Sequence, residues 1–288
     1  MLADVISALV RALSFIALFQ AAGVVMFLAI FGRGLERAYD PIRRLGFVAA
    51  IAGIVFVTTH LSLEAARMAG VLSGMFDASL QALVLDSAMS VAALLRIAGL
   101  AAIATALFSQ GTTSKARMHL GLGGTTLTIA GFLFVGHTAA HPSRPWLAVV
   151  LSLHLAVVAF WFGALIPLLL VSRRESASTA TQIVNRFSRI ASWWVPGILV
   201  AGVVLTVMLV DGWAVFGEAY GVMLIAKVTI FAVLMTLAAL NRWRYGPALA
   251  STPSFALAFQ RTVAVEYVLI CAVLTVTAIM TTLFSPNA

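Results

Sequence analysis

The stretch "GHTAAHPSRPW" (136–146) places His137 and His141 four residues apart between two strongly apolar runs, and His154 follows in the second of them. His60 lies in an earlier apolar run, with Glu64 one helical turn further along. Neutral imidazole is the commonest protein metal ligand and suits copper, zinc and iron. Three readings compete for such residues: ligands of a metal ion, axial ligands of a haem, or plain polar edging at a membrane surface. The choice depends on which side of a membrane each histidine faces, so the elements that carry them must be oriented first.

Of the 288 residues, 62% are hydrophobic and only 10% charged, with a mean hydropathy of +1.07. Soluble domains carry about 25% charged residues, so the composition points to an all-α polytopic membrane bundle. The net charge of +8 does not call for nucleic acid. Its basic residues lie between apolar runs, where they orient a membrane protein against the lipid bilayer. The one cysteine, Cys271, sits inside an apolar run, which excludes an intramolecular disulfide and any Cys-x-x-Cys site. The first apolar run ends without an Ala-x-Ala cleavage signal and is expected to remain as a membrane helix.

A spanning helix needs about twenty mainly apolar residues. Eight such runs are expected, over residues 5–31, 45–66, 82–108, 118–138, 146–171, 190–210, 220–241 and 262–284. Together they form a single membrane domain, 1–288, because no connection is long enough to fold separately. Odd-numbered loops hold the basic residues: Arg33, Arg37, Arg43 and Arg44, then Lys115 and Arg117. Arg173, Arg174, Arg186 and Arg189 follow in the fifth loop, and Arg242, Arg244 and Arg261 in the seventh. Even-numbered loops hold at most one each, so the positive-inside rule predicts cytoplasmic odd loops and both termini outside.

With that orientation His137 ends span four on the outer side, and His141 follows in an outward loop where Pro142 disfavours helix. His154 falls about 12 Å inward from Trp146 at 1.5 Å per residue. His60 and Glu64 occupy the outer part of span two, and His119 alone lies on the cytoplasmic side. A polar group inside a span must find a partner or line a cavity, so His60 and His154 stand out. The same rule applies to Arg96 in span three, Lys227 in span seven and Glu266 in span eight. Lys227 and Asp86 share a depth that predicts a pair.

Four blocks then resemble the copper-resistance D (CopD) family of bacterial inner-membrane proteins. They are "LHLAVVAFWFGALIPLLL" (153–170), "NRFSRIASWWVPGILVAGVVLTVML" (185–209), "YGVMLIAKVTIFAVLMTLAALNRWRYGPAL" (220–249) and "RTVAVEYVLICAVLTVTAIMTTL" (261–283). The likeness is clearest over 150–284 and looser in the first half. It implies an eight-span inner-membrane protein that handles copper, as Cu+ or Cu2+, beside a periplasmic copper-binding protein of the CopC type. Few residues precede span one, so such a partner is expected to be a separate chain. By position His154 falls in the family's "LHL" and His137 in its "GH", while His60 and His141 rest on the topology. Lys227 and Glu266 match family blocks as well.

The resulting expectation is an outward-facing metal site of His60, His137, His141 and His154, with Glu64, Arg96, Lys227 and Glu266 as supporting or pathway groups. It would pass copper from the periplasm towards the cytoplasm without enzymatic chemistry, since no P-loop or ATPase motif is present. Two alternatives stay open: a b-type haem electron carrier using His60 and His154, and a copper chaperone without net flux.

Overall fold

The computed structural model describes residues 2–108, 114–136, 139, 141–209 and 219–284, and no strand occurs among them. Among the described residues ten α-helices follow in order: α1 Leu2–Phe31, α2 Tyr39–Ala69, α3 Ala78–Leu85, α4 Ala88–Phe108 and α5 Lys115–Ala130. After them come α6 Arg144–Arg174, α7 Ala177–Trp194, α8 Pro196–Leu209, α9 Ala219–Leu240 and α10 Pro253–Leu283. Among the described residues seven helical stretches are long and apolar enough to cross a membrane. The expected fourth span is a 16-residue α-helix, α5, prolonged by a 3-10 turn over Gly131–Phe134.

The centre of the bundle is α1, which packs against α2, α4, α5, α6 and α10. In its most apolar window 72% of residues are buried, against 6% in the stretch containing α9, which leaves α9 largely facing outward. Close approach of α1 and α6 depends on two glycines. A Cβ on Gly23 would lie 2.5 Å from Gly163 Cα, so neither position has room for a side chain. Small residues at a crossing let helix backbones pack tightly where lipid gives no hydrophobic drive. Pro167 sits inside α6 and has no N–H to offer the carbonyl four residues back, that of Gly163. Gln20 of α1 fills the gap, its Nε2 donating to the Gly163 oxygen at 3.1 Å.

Polar ties fasten the bundle at both ends. At one end the start of α1, the end of α2 and the end of α10 meet through Arg67. Its Nε donates to Asp4 at 3.3 Å, its Nη1 to Glu64 at 2.9 Å and its Nη2 to the Thr282 carbonyl at 3.0 Å. At the other end Glu175, just past α6, accepts from the backbone N–H groups of Glu36, Arg37 and Ala38 at 3.0, 2.8 and 2.8 Å. These donors precede the first turn of α2, where a carboxylate also opposes the positive helix end. Arg43 caps the final carbonyls of α4, donating to Leu107 and Phe108 at 2.5 and 3.0 Å.

Several expectations are corrected. The run 82–108 is not one helix: α3 ends at Leu85, and α4 begins at Ala88 after Asp86 and Ser87. Ser87 turns the chain, donating to the Val84 carbonyl at 2.6 Å and accepting from Met89 N at 3.2 Å. Asp86 is therefore an exposed α3 terminus, and no ion pair joins it to Lys227 among the described residues. The sixth run also begins earlier than expected, in α7, whose Ala180, Ile183, Val184 and Phe187 are buried at helical spacing.

Candidate functional site

His60 is carried by α2, nine residues before its end, and faces the bundle beside Glu64. Its Nε2 is 3.5 Å from Glu64 Oε1. That contact lacks hydrogen-bond geometry, and the nitrogen is buried with no hydrogen-bond partner among the described residues. Glu64 itself is only 7% exposed and is claimed by Arg67. The charges felt at His60 are those of Arg11, Arg96 and Arg67. This imidazole is thus within electrostatic reach of three guanidinium groups, with Glu64 as the carboxylate next to it.

Arg96 of α4 lies inside the protein. Its guanidinium stacks 4.0 Å from the Phe132 ring centroid, and Nη2 donates to the Gly131 carbonyl at 3.3 Å. Phe132 in turn packs on Phe15 and Phe19 of α1 at 5.5 and 5.6 Å. A cation on an aromatic face is attracted by the ring quadrupole, more so when desolvated. This accounts for a charge at a depth where exposure to lipid is costly.

His154 of α6 lies in a different neighbourhood. Lys227 of α9 is the charge that acts on it, and the backbone at Ile198 of α8 lies beside it. Its Nδ1 is buried with no hydrogen-bond partner among the described residues. His141 sits in the turn before α6, where its Nδ1 accepts from Ser143 N at 3.0 Å. His137 lies outside the described residues. His119 is exposed on α5. Among the described residues, no three His, Cys, Asp or Glu side chains gather closely enough to hold a metal.

One polar constellation was reached only in part from sequence. Glu266 of α10 is 2% exposed and takes a hydrogen bond from Asn241 Nδ2 at 2.5 Å, with the Trp161 side chain of α6 beside it. Asn241 also accepts from the Thr262 hydroxyl. It stands where α9 passes into a π turn, Asn241–Tyr245, closed by Gly246 N donating to the Asn241 carbonyl at 2.8 Å. Such widened turns recur at functional sites. Beside this trio lies a half-open cavity of about 320 Å³, lined by residues of α6, α7, α9 and α10. Asn241 closes an apolar run in the sequence, a visible cue. Its meeting with Trp161 and Glu266 depends on three separate helices and had no local signal.

The family model "Copper resistance protein D" matches residues 181–280, and "Copper resistance protein D-like, N-terminal domain" matches residues 1–145. A copper resistance protein D of Pseudomonas syringae pv. tomato is 31% identical over 242 residues, covering 77% of this chain and 77% of its own length. No solved structure matches the chain. With both stretches and a relative of that identity in agreement, the chain belongs to the copper resistance protein D family.

Proposed function

We propose that this protein carries copper across the bacterial inner membrane, from the periplasm towards the cytoplasm, through an outward-facing site built on His60, His137, His141 and His154. The observation that carries the reading is the pair of buried imidazole nitrogens, His60 Nε2 and His154 Nδ1, without a hydrogen-bond partner among the described residues. A buried polar atom left unpaired costs about 1–3 kcal/mol, which a bound metal would offset. Both histidines belong to the same half of the bundle's length, nine residues from the end of α2 and ten from the start of α6. A copper ion at His60 would meet Arg11, Arg67 and Arg96, and one at His154 would meet Lys227, so a carboxylate is needed close by. Glu64 stands beside His60 as that group while it stays tied to Arg67.

The orientation belongs to the same proposal: eight spans, both termini periplasmic, the α5 segment completing the eighth crossing. Arg33, Arg37, Arg173, Arg174, Arg244 and Arg261 all belong to the end opposite the histidines, as cytoplasmic loops require. A separate CopC-like protein would supply copper on the outer side. The test is uptake of radioactive copper into liposomes holding only this protein. The His60/His137/His154 triple alanine variant is expected to lose uptake and binding, and His119→Ala to keep both. Equal binding by wild type and triple variant overturns the site, and binding without uptake replaces transport by hand-over to another protein.

A further inference from the structure

The environments of the buried acids differ in charge. Around Glu64 the described side chains supply more cations than anions, whereas Glu266 accepts from Asn241 and has the Trp161 indole as its other polar neighbour, both neutral. Arg242 lines the same cavity, yet its guanidinium is turned to the Ser188 carbonyl, at 2.7 Å, and to the Ser192 hydroxyl. No ion pair to Glu266 exists among the described residues. A carboxylate buried in a bundle without a cation is costly unless it is neutralised, and here there is open space beside it. The cavity of about 320 Å³ holds several water-sized bodies. Met235 of α9 also lines it, and a thioether is a soft ligand suited to Cu(I).

We infer that this cavity is a second cation site, facing the end of the bundle opposite the histidines. In it Glu266 supplies the negative charge and Met235 the soft ligand for a monovalent copper ion. The identity of the ion rests on the copper reading above, but the residues are separate from the histidine set. Asn241 and Trp161 hold the carboxylate in place as positioning residues, and Arg242 stands at the cavity wall. Glu266 lies 13 residues along α10, about 20 Å from the start of that helix. A cation leaving His154 towards the basic loops would find this carboxylate between them.

The test is titration of the purified full-length protein with Ag+, a redox-inert monovalent stand-in, with indole emission as a second readout. Glu266→Gln keeps an oxygen for Asn241 Nδ2, and Met235→Leu nearly conserves volume, so each variant isolates the ligand role. The His60/His137/His154 triple alanine variant is expected to retain one bound Ag+ with quenching of the two cavity tryptophans, Trp161 and Trp243. The Glu266→Gln and Met235→Leu variants should bind that equivalent at least tenfold more weakly, and Trp161→Phe together with Trp243→Phe should remove the quenched emission. Unchanged Ag+ affinity in both Glu266→Gln and Met235→Leu overturns the site. Failure of the histidine reading shows itself differently, as a triple variant that binds like the wild type.

Discussion

Glu64 and Glu266 are both buried carboxyls in helices of one bundle, yet they do opposite things to their surroundings. Glu64 meets Arg67 at 2.9 and 3.2 Å, and through it is tied to Asp4 and the end of α10. That region is a closed set of charges joining three helices. Glu266 meets only neutral donors, and a cavity opens beside it. The surrounding packing differs in the same sense: α1 is buried in a Gly–Gly crossing with α6, whereas α7 and α9 leave space. The lesson is that a buried acid becomes a fastening or a binding group according to whether its counter-charge belongs to the chain.

Removing the counter-charge from the closed region should have the largest effect. Arg67→Ala leaves Glu64 buried beside His60 and cuts the tie to Asp4 and Thr282. Breaking a buried pair from one side costs about 3–5 kcal/mol; Arg67 keeps 27% of its side chain exposed, which places the expected loss near the lower figure. Thermal unfolding in detergent should show it, and Glu64→Gln combined with Arg67→Met should recover part of the loss. A single variant as stable as the wild type would show that the charge set is not a fastening.

Next comes the packing difference. Gly163→Ala places a Cβ against Gly23 and forces α1 and α6 apart, at a cost of about 1–3 kcal/mol for overpacking. The same kind of enlargement at Ala191, which borders the cavity, should be tolerated because Ala191→Leu fills space instead of displacing a backbone. Equal loss of melting temperature in both would erase the contrast between the two regions.

Around Glu266 smaller numbers are expected. Asn241→Ala leaves a carboxyl oxygen and the Thr262 hydroxyl without their amide partner, costing about 1–3 kcal/mol. Glu266→Gln should be neutral or slightly stabilising, because a buried charge without a counter-ion disappears while the Asn241 hydrogen bond keeps an acceptor. The matching Glu64→Gln should destabilise. Urea or thermal unfolding of the two Gln variants side by side gives the crossing, and the same sign for both would break the comparison.

How much of this was legible in the sequence follows from range. The apolar runs gave the helices, since about twenty apolar residues suffice to mark one. His60, His154, Glu64, Arg96 and Glu266 stood out because polar groups inside spans need partners. Pro167 even announces a free carbonyl at Gly163, but nothing local names Gln20, 143 residues away, as the donor. The Asn241–Glu266–Trp161 meeting is hidden for the same reason. The break at Asp86 and Ser87 was readable and was overridden by the apolar count. The paired depth of Asp86 and Lys227 misled because equal depth does not bring two helices together.

A third carboxylate sets the lower end of the scale. Asp77 is exposed at the start of α3, outside the apolar stretches, and accepts from Ser79 N at 2.9 Å, Ser79 Oγ at 2.6 Å and Leu80 N at 3.2 Å. The Ser79 hydroxyl first, then the Leu80 and Ser79 backbone, hold its carboxyl below the ordinary value of 3.8. Because the folded value is the lower one, the cap contributes fully above the unfolded value and is lost as pH falls through the folded one. Amide exchange at Ser79–Gln81, corrected for intrinsic rates, should therefore speed up only in acid, with the rest of the bundle unaffected. Asp77→Asn keeps a good N-cap and should flatten this dependence. Exchange that rises equally in α3 and at the end of α10 for wild type and Asp77→Asn alike would show that the local cap contributes nothing of its own.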